Sequence, residues 1–260
     1  DKYVDRSTCA DFIVSSTDYF RYNSADEYIG QDIIDEIKEN TDETVAGSGY
    51  DLTDIFPMMW METDQYSKLA GNYLGGEELQ EEISRYEQRG DNILVGASIE
   101  GFDDGLFDKL TVVEGSLEPL FDQNTHAIAV AVSTDDYGNI ENIDRYPKLG
   151  DSLTVSYQIG YDIDSRTGER ADQQTTPGEY LEYHEEEAKE VDYSVCALVT
   201  VPYSISFRYT SLGYSMVLPV ERLKENSGTD VIPKFYMFDT PDSQAEASAE
   251  QYLQKLTAGD

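Results

Sequence analysis

Apolar residues recur along this chain with two different periods, and the change of period divides it. Near the start, "DFIVSSTDYF" (11–20) is β-branched and aromatic and reads as a strand. It leads into "SADEYIGQDIIDEIKEN". There Ser24 and Glu27 fit a capping box, and Ile29, Ile33 and Ile37 recur at four-residue steps as one apolar helical stripe. The far end repeats the plan. "KFYMFD" (234–239) reads as a strand and Thr240-Pro241 as a helix start. "SQAEASAEQYLQKL" then reads as a helix with Ala245, Ala249, Tyr252, Leu253 and Leu256 on one side. Strand–helix units at both ends predict one layer closed by both termini, with helices on a shared sheet.

Between these units the pattern predicts strands at 43–52, 57–66 and 92–99. An amphipathic helix, "GEELQEEISRYEQRGD", carries Leu79, Ile83 and Tyr86, and a short helical turn, "DDGLFDKL", follows later. From 111 to 216 the character becomes strand after strand: "LTVVEG", "HAIAVAV", "SLTVSYQIG", "YSVCALVTV", "SFRYT" and "SMVLPV". Turn clusters separate them, and Gly115 reads as a turn residue free to take a positive φ. The fold class expected is α+β. A split α/β subdomain, 1–110 plus 217–260, carries an inserted β-rich subdomain, 111–216.

Composition narrows the partners. The chain has 260 residues, 39% of them hydrophobic, with 20 Tyr and 9 Phe, enough to bury a core. Its 53 acidic residues against 18 basic ones give a formal net charge of -35. A surface this negative repels phosphate backbones, so nucleic acid is not expected as a partner, and it repels anionic bilayers. Its plainest use is solubility; its sharper one is attraction of cations or cationic peptides. No apolar run approaches the roughly 20 residues that span a bilayer. Cys9 and Cys196 are compatible with one disulfide or with two free thiols.

Catalytic and metal motifs fail at specific positions. "GASIEG" (96–101) approaches a nucleophile elbow around Ser98, but Glu100 stands where the second Gly belongs. The available bases are His126 and His184, and both read as solvated imidazoles. His184-Glu185 begins a zinc-peptidase motif that Ala188 ends. A calcium loop from Asp162 fails at Arg166, Thr167 and Gln173. The run Glu185–Glu187 reads as a solvated helix or loop face. No enzyme, cofactor or metal site is therefore expected.

The candidate surface is instead the Met-rich stretch "FPMMWMET". Met clusters build adaptable contact surfaces. Strand alternation cannot bury all of Met58, Met59, Trp60 and Met61, so these residues and Phe56 are the expected partner-contact patch.

The order of several short signals resembles a known family. "GLFDKL" precedes a "VVEGS-L" turn. Then come "AIAVAV", "KLGDSLTVSY", "YSVCALVTVPYSI" and "GYSMVLPVERL", closed by a strand and a helix. This resembles the extracytoplasmic core domain of MacB/FtsX-type ABC transporter permeases. Leu149-Gly150-Asp151-Ser152-Leu153 matches that family's "lGd" turn. Ala197 and Leu198 stand where the family often has Gly, and Ser116 where Arg is common.

The resemblance implies a non-catalytic domain on the outer side of the cell membrane, lying between two membrane helices. Its partners would be the membrane-embedded remainder of the permease and, indirectly, a cytoplasmic ATP-binding subunit. Its target would be a peptide, lipoprotein, antimicrobial or cell-wall protein. It also implies that Asp1 and Asp260 lie close together. Two other readings stay open: a stand-alone surface protein binding cationic peptides or metal ions, and a carboxylate-dependent surface hydrolase.

Overall fold

A computed structural model describes residues 9–15, 29–53, 55–71, 73–172, 175–186, 188–202, 205 and 213–258. In chain order they form β1 (Phe12–Ser15), α1 (Gln31–Asn40), β2 (Ala46–Leu52), β3 (Ile55–Glu62), α2 (Thr63–Ala70) and α3 (Gly76–Arg85). Next come β4 (Gln88–Arg89), β5 (Asn92–Gly96), β6 (Ser98–Phe102), β7 (Thr111–Gly115), β8 (Ala127–Ala131) and β9 (Ser152–Asp164). The chain closes with β10 (Leu181–Glu185), β11 (Lys189–Thr200), β12 (Ser215–Pro219), α4 (Val220–Ser227), β13 (Val231–Phe238) and α5 (Ser243–Ala258). The fold is α+β. Its 13-stranded sheet runs β1-β13-β2-β6-β12-β8-β11-β9-β3-β5-β4, with β10 on β9 and β7 on β11.

The two ends meet in this sheet. β1 lies antiparallel to β13, Phe12 opposite Phe238, and their rings stack at 5.1 Å. A polar clamp fixes the same corner. The Asp11 N–H donates to Asp239 Oδ1 at 3.0 Å, and Asp11 Oδ2 accepts from the Thr240 N–H and hydroxyl, each at 2.8 Å. Ile34 and Ile37 of α1 and Ala249 of α5 pack on Tyr236 and Phe238 as a small separate core. Tyr252, Leu253 and Leu256 join it, as the four-residue steps require. Asp1, Asp260, Ser24 and Glu27 lie outside the described residues, as does the strand expected at 206–210.

Several boundaries differ from the pattern reading. The strand expected at 57–66 stops at Glu62 and turns into α2, because Tyr66 and Ala70, four residues apart, are both fully buried. The strand expected at 92–99 breaks at Ala97 into β5 and β6. α5 starts after Pro241 rather than on it: Asp242 Oδ1 accepts from the Gln244 and Ala245 N–H groups at 3.0 and 2.9 Å and caps the helix. α4 follows Pro219 directly, where no helix was expected. Glu185, the first residue of the acidic run expected as a helix or loop face, is the last residue of β10, which pairs with β9 along Leu181–Glu185.

β11 is the branch point. Its first half pairs with β9, and its second half lies between parallel β8 and antiparallel β7. Gly115 ends β7 with φ +84, and a Cβ there would collide with the Cys196 carbonyl oxygen. Only glycine satisfies both conditions. β3 pairs with β9 from Ile55 opposite Ile159 to Trp60 opposite Thr154, which joins the early chain to the strands of the 111–216 segment. Cys9 and Cys196 are free, partly buried thiols, and burial pushes Cys196 up to about 11.

Candidate functional site

β3 divides the Met-rich patch by strand alternation. Met59 and Met61 are buried at 0% and 4% exposure, whereas Phe56 is 57% exposed. Phe56, Met58 and Trp60 share the outward face. There Phe56 meets Tyr183 edge-on, with ring centroids 6.3 Å apart. The Trp60 ring lies under the Arg89 guanidinium at 4.0 Å, and its Nε1–H donates to Glu190 at 2.8 Å. Arg89 also donates to both Glu190 oxygens, at 3.1 and 2.7 Å. These bonds, Arg89's first and Trp60's second, hold the Glu190 carboxyl below its ordinary range. The five residues expected to act together therefore occupy two surfaces.

On the inner side of β3, Met59, Met61, Leu153, Leu198 and Tyr214 floor a cleft of about 610 Å³. One wall is α2 with the residue before it, bringing Glu62, Gln65 and Lys68. The facing wall is the 3-10 turn Ile143–Arg145 and the loop that follows it to Ser152. Three bonds tie the walls together. Gln65 Nε2 donates to the Asp144 carbonyl at 3.1 Å, and Arg145 donates to the carbonyls of Lys68 and Leu69 at 3.4 and 3.3 Å. The Arg145 guanidinium thus satisfies carbonyls that the end of α2 leaves without intrahelical partners. Asp151 Oδ2 accepts the Lys148 N–H at 2.8 Å and closes the turn containing Gly150.

The chemistry of the cleft is apolar below and acidic above. Four carboxylates line it, Glu62, Glu114, Asp144 and Asp151, against two ammonium groups, Lys68 and Lys148. Among the described residues, Glu62, Glu114 and Asp144 form no ion pair. Burial pushes the Tyr214 phenol well above its usual range. A bond with Gln65 opposes that shift, and the charges of Asp151 and Glu62 add to it. The phenol is therefore a neutral hydrogen-bonding group at physiological pH. Of this set Glu114, Lys148, Asp151 and Tyr214 stand in the ordered sequence signals, whereas Gln65, Lys68 and Asp144 stand in none.

The residues weighed for catalysis are dispersed. Ser98 lies in β6 and donates its N–H to the Tyr214 carbonyl. Glu100 is buried against Lys234. His126 sits just before β8, its ring 6.1 Å from that of Tyr193. His184 lies on β10, which pairs with β9, and is stacked on Tyr161. Among the described residues, no three His, Cys, Asp or Glu side chains gather as a metal site, and no helix is long and apolar enough to cross a membrane.

No family model matches the chain, and no curated relative does. A solved structure similar to it is the extracellular domain of the noncanonic ABC-type transporter YknZ from Gram-positive bacteria. The match covers 95% of this chain and 93% of that one, at 11% identity and a TM-score of 0.39.

Proposed function

We propose that this chain is the extracytoplasmic domain of a MacB/FtsX-type ABC transporter permease. It works without catalysis, passing motion from membrane helices to a peptide, lipoprotein, antimicrobial or cell-wall partner. The observation that carries this reading is the clamp between Asp11 and the Asp239–Thr240 pair, which holds the first and last strands side by side. Two membrane helices, one leading to β1 and one following α5, would pull on this strand pair and on the helix packed against it. Their displacement would enter the sheet at β1 and β13 and travel along the ladder. In this reading 1–110 plus 217–260 form the base, and 111–216 form the lobe that meets the partner. The ordered signals from "VVEGS" to "VLPVERL" support the same assignment.

The test uses the full-length parent in its own cells, with Cys9 and Cys196 replaced by Ser. Tyr137, 91% exposed, is changed by Tyr137→Cys. A membrane-impermeant maleimide is expected to label it in intact cells, and an ATP-binding subunit is expected to co-purify in detergent. Labelling only after lysis overturns the assignment. A full-length chain found free in the medium favours the second reading, a stand-alone binder of cationic ligands. The unpaired carboxylates of the cleft favour that reading.

A further inference from the structure

We propose that the cleft between β3–α2 and the 143–153 loop receives a basic side chain of a peptide partner. The aliphatic stem lies against the half-buried Tyr146, and the cation lies among Glu62, Asp144 and Asp151. This deepens the proposed function by giving the partner a place and a chemistry. It rests on that reading only for the partner being a peptide.

Three features select this occupant. The floor is apolar and closed by two buried methionines, and above it the half-buried Tyr146 offers an alkyl chain a surface. The walls are acidic: four carboxylates face two ammonium groups, and Glu62, Glu114 and Asp144 have no ion-pair partner among the described residues. A lysine or arginine has this same division, an apolar stem and a charged head. The whole chain, at -35, steers cations inward and turns phosphate and carboxylate ligands away.

Size and rigidity point the same way. About 610 Å³ holds a long side chain with its flanking residues, within the usual range for ligand clefts. A bare metal ion would need converging ligands, and the described residues gather no such group. Ile143, 57% exposed on the wall, gives an apolar neighbour of the basic residue a surface to rest on. The Gln65 and Arg145 bonds hold the walls in place before binding, which lowers the ordering cost.

The probe is the tetrapeptide acetyl-Ala-Lys-Leu-Arg-amide, titrated calorimetrically into the 260-residue chain. Its control carries acetyl-lysine and citrulline in place of the two basic residues. The basic peptide is expected to bind at least about tenfold more tightly than the control. The double variant Glu62→Gln/Asp144→Asn is expected to lose about tenfold in affinity. A variant of equal charge change on the helices, Glu39→Gln/Glu81→Gln, should stay close to wild type. Three results overturn the proposal: no binding of the basic peptide at millimolar concentration, equal binding of both peptides, or equal losses in both double variants. Each leaves the cellular labelling result untouched, so failure of the docking site and failure of the transporter assignment are separable.

Discussion

Lys234 of β13 reaches past β2 to Glu100 of β6, Nζ to Oε1 2.8 Å, with both residues over nine-tenths buried. A β-bulge between Pro233 and Phe235 turns Lys234 toward this contact. Asp51 of β2 stands 3.4 Å from the same ammonium. The pair therefore ties a strand from the end of the chain to one from its first half. Deleting one partner leaves the other charge buried. Glu100→Ala is expected to cost about 3 kcal/mol in urea unfolding, whereas Glu100→Met/Lys234→Met should be near neutral or stabilising. A single variant with an unchanged midpoint would remove the pair from any structural role.

The same pair makes stability depend on pH. Burial raises the Glu100 carboxyl from 4.5 to about 7, with Lys234 opposing the shift and Asp51 adding to it. The folded protein thus holds this proton more tightly than the unfolded chain. Glu100's contribution is fully present below the unfolded value and is lost as pH rises through the folded one. Between pH 5 and about 7.5, wild type should lose stability relative to Glu100→Gln. Unfolding free energies of the two proteins at half-unit pH steps check this; a constant difference refutes it.

The terminal units are legible because nothing competes with their signals. The stripe of Ile29, Ile33 and Ile37 and the alanine–leucine stripe of α5 have helical spacing; Ile37 and Ala249 are fully buried and Ile29 and Ile33 partly so, while Ile34, outside the stripe, is also fully buried. Gly115 is legible because a tight turn after a β-branched run calls for glycine. α4 is hidden because Val220 continues the apolar run of β12, and the helix is only eight residues long. β10 is hidden because charge masks its alternation of Leu181 and Tyr183 with Glu182 and His184. The cleft is not local at all. Met59, Glu114, Asp144, Leu198 and Tyr214 meet because the sheet places β3, β7, β11 and the chain entering β12 around one loop, a topology no window of sequence encodes.

Two glycines separate backbone strain from collision. Gly115 and Gly150 have nearly the same φ, +84 and +85, but a Cβ at Gly150 meets nothing within 4 Å. Gly150→Ala should therefore cost only the left-handed penalty, about 1 kcal/mol. Gly115→Ala adds the clash with the Cys196 carbonyl and should cost clearly more, about 3 kcal/mol. Thermal unfolding ranks them; equal losses would mean that the β7–β11 contact yields freely.

A buried polar chain links α4 to the sheet. The Tyr157 and Tyr193 hydroxyls lie 2.5 Å apart, and Asn226 Nδ2 donates to Tyr193 at 3.0 Å. Tyr193 is the shared member, so Tyr193→Phe leaves both neighbours without it. Tyr157→Phe keeps the Asn226 bond. Expected losses are about 2 and about 1 kcal/mol, read from denaturant midpoints. The reverse order would place the weight of the network on Tyr157.

Trp60 makes the outward face of β3 observable, because it is the protein's one tryptophan. Its indole is sandwiched against Arg89 and donates to Glu190, so its emission reports the ionisation of that carboxylate. Glu190 titrates below the ordinary glutamate range, chiefly through its bonds from Arg89. Protonation removes the acceptor charge that holds Arg89 over the ring. The sign follows from the lowered value: the cluster's contribution is present above the unfolded carboxyl range and is lost as pH falls through the folded one. Fluorescence should hold steady from neutrality down to about pH 4.3, then shift at lower pH, before or together with unfolding. Glu190→Gln should show a different emission maximum at neutrality and no such step ahead of unfolding. A wild-type transition centred above about pH 5 would show that Arg89 and Trp60 do not hold the carboxylate.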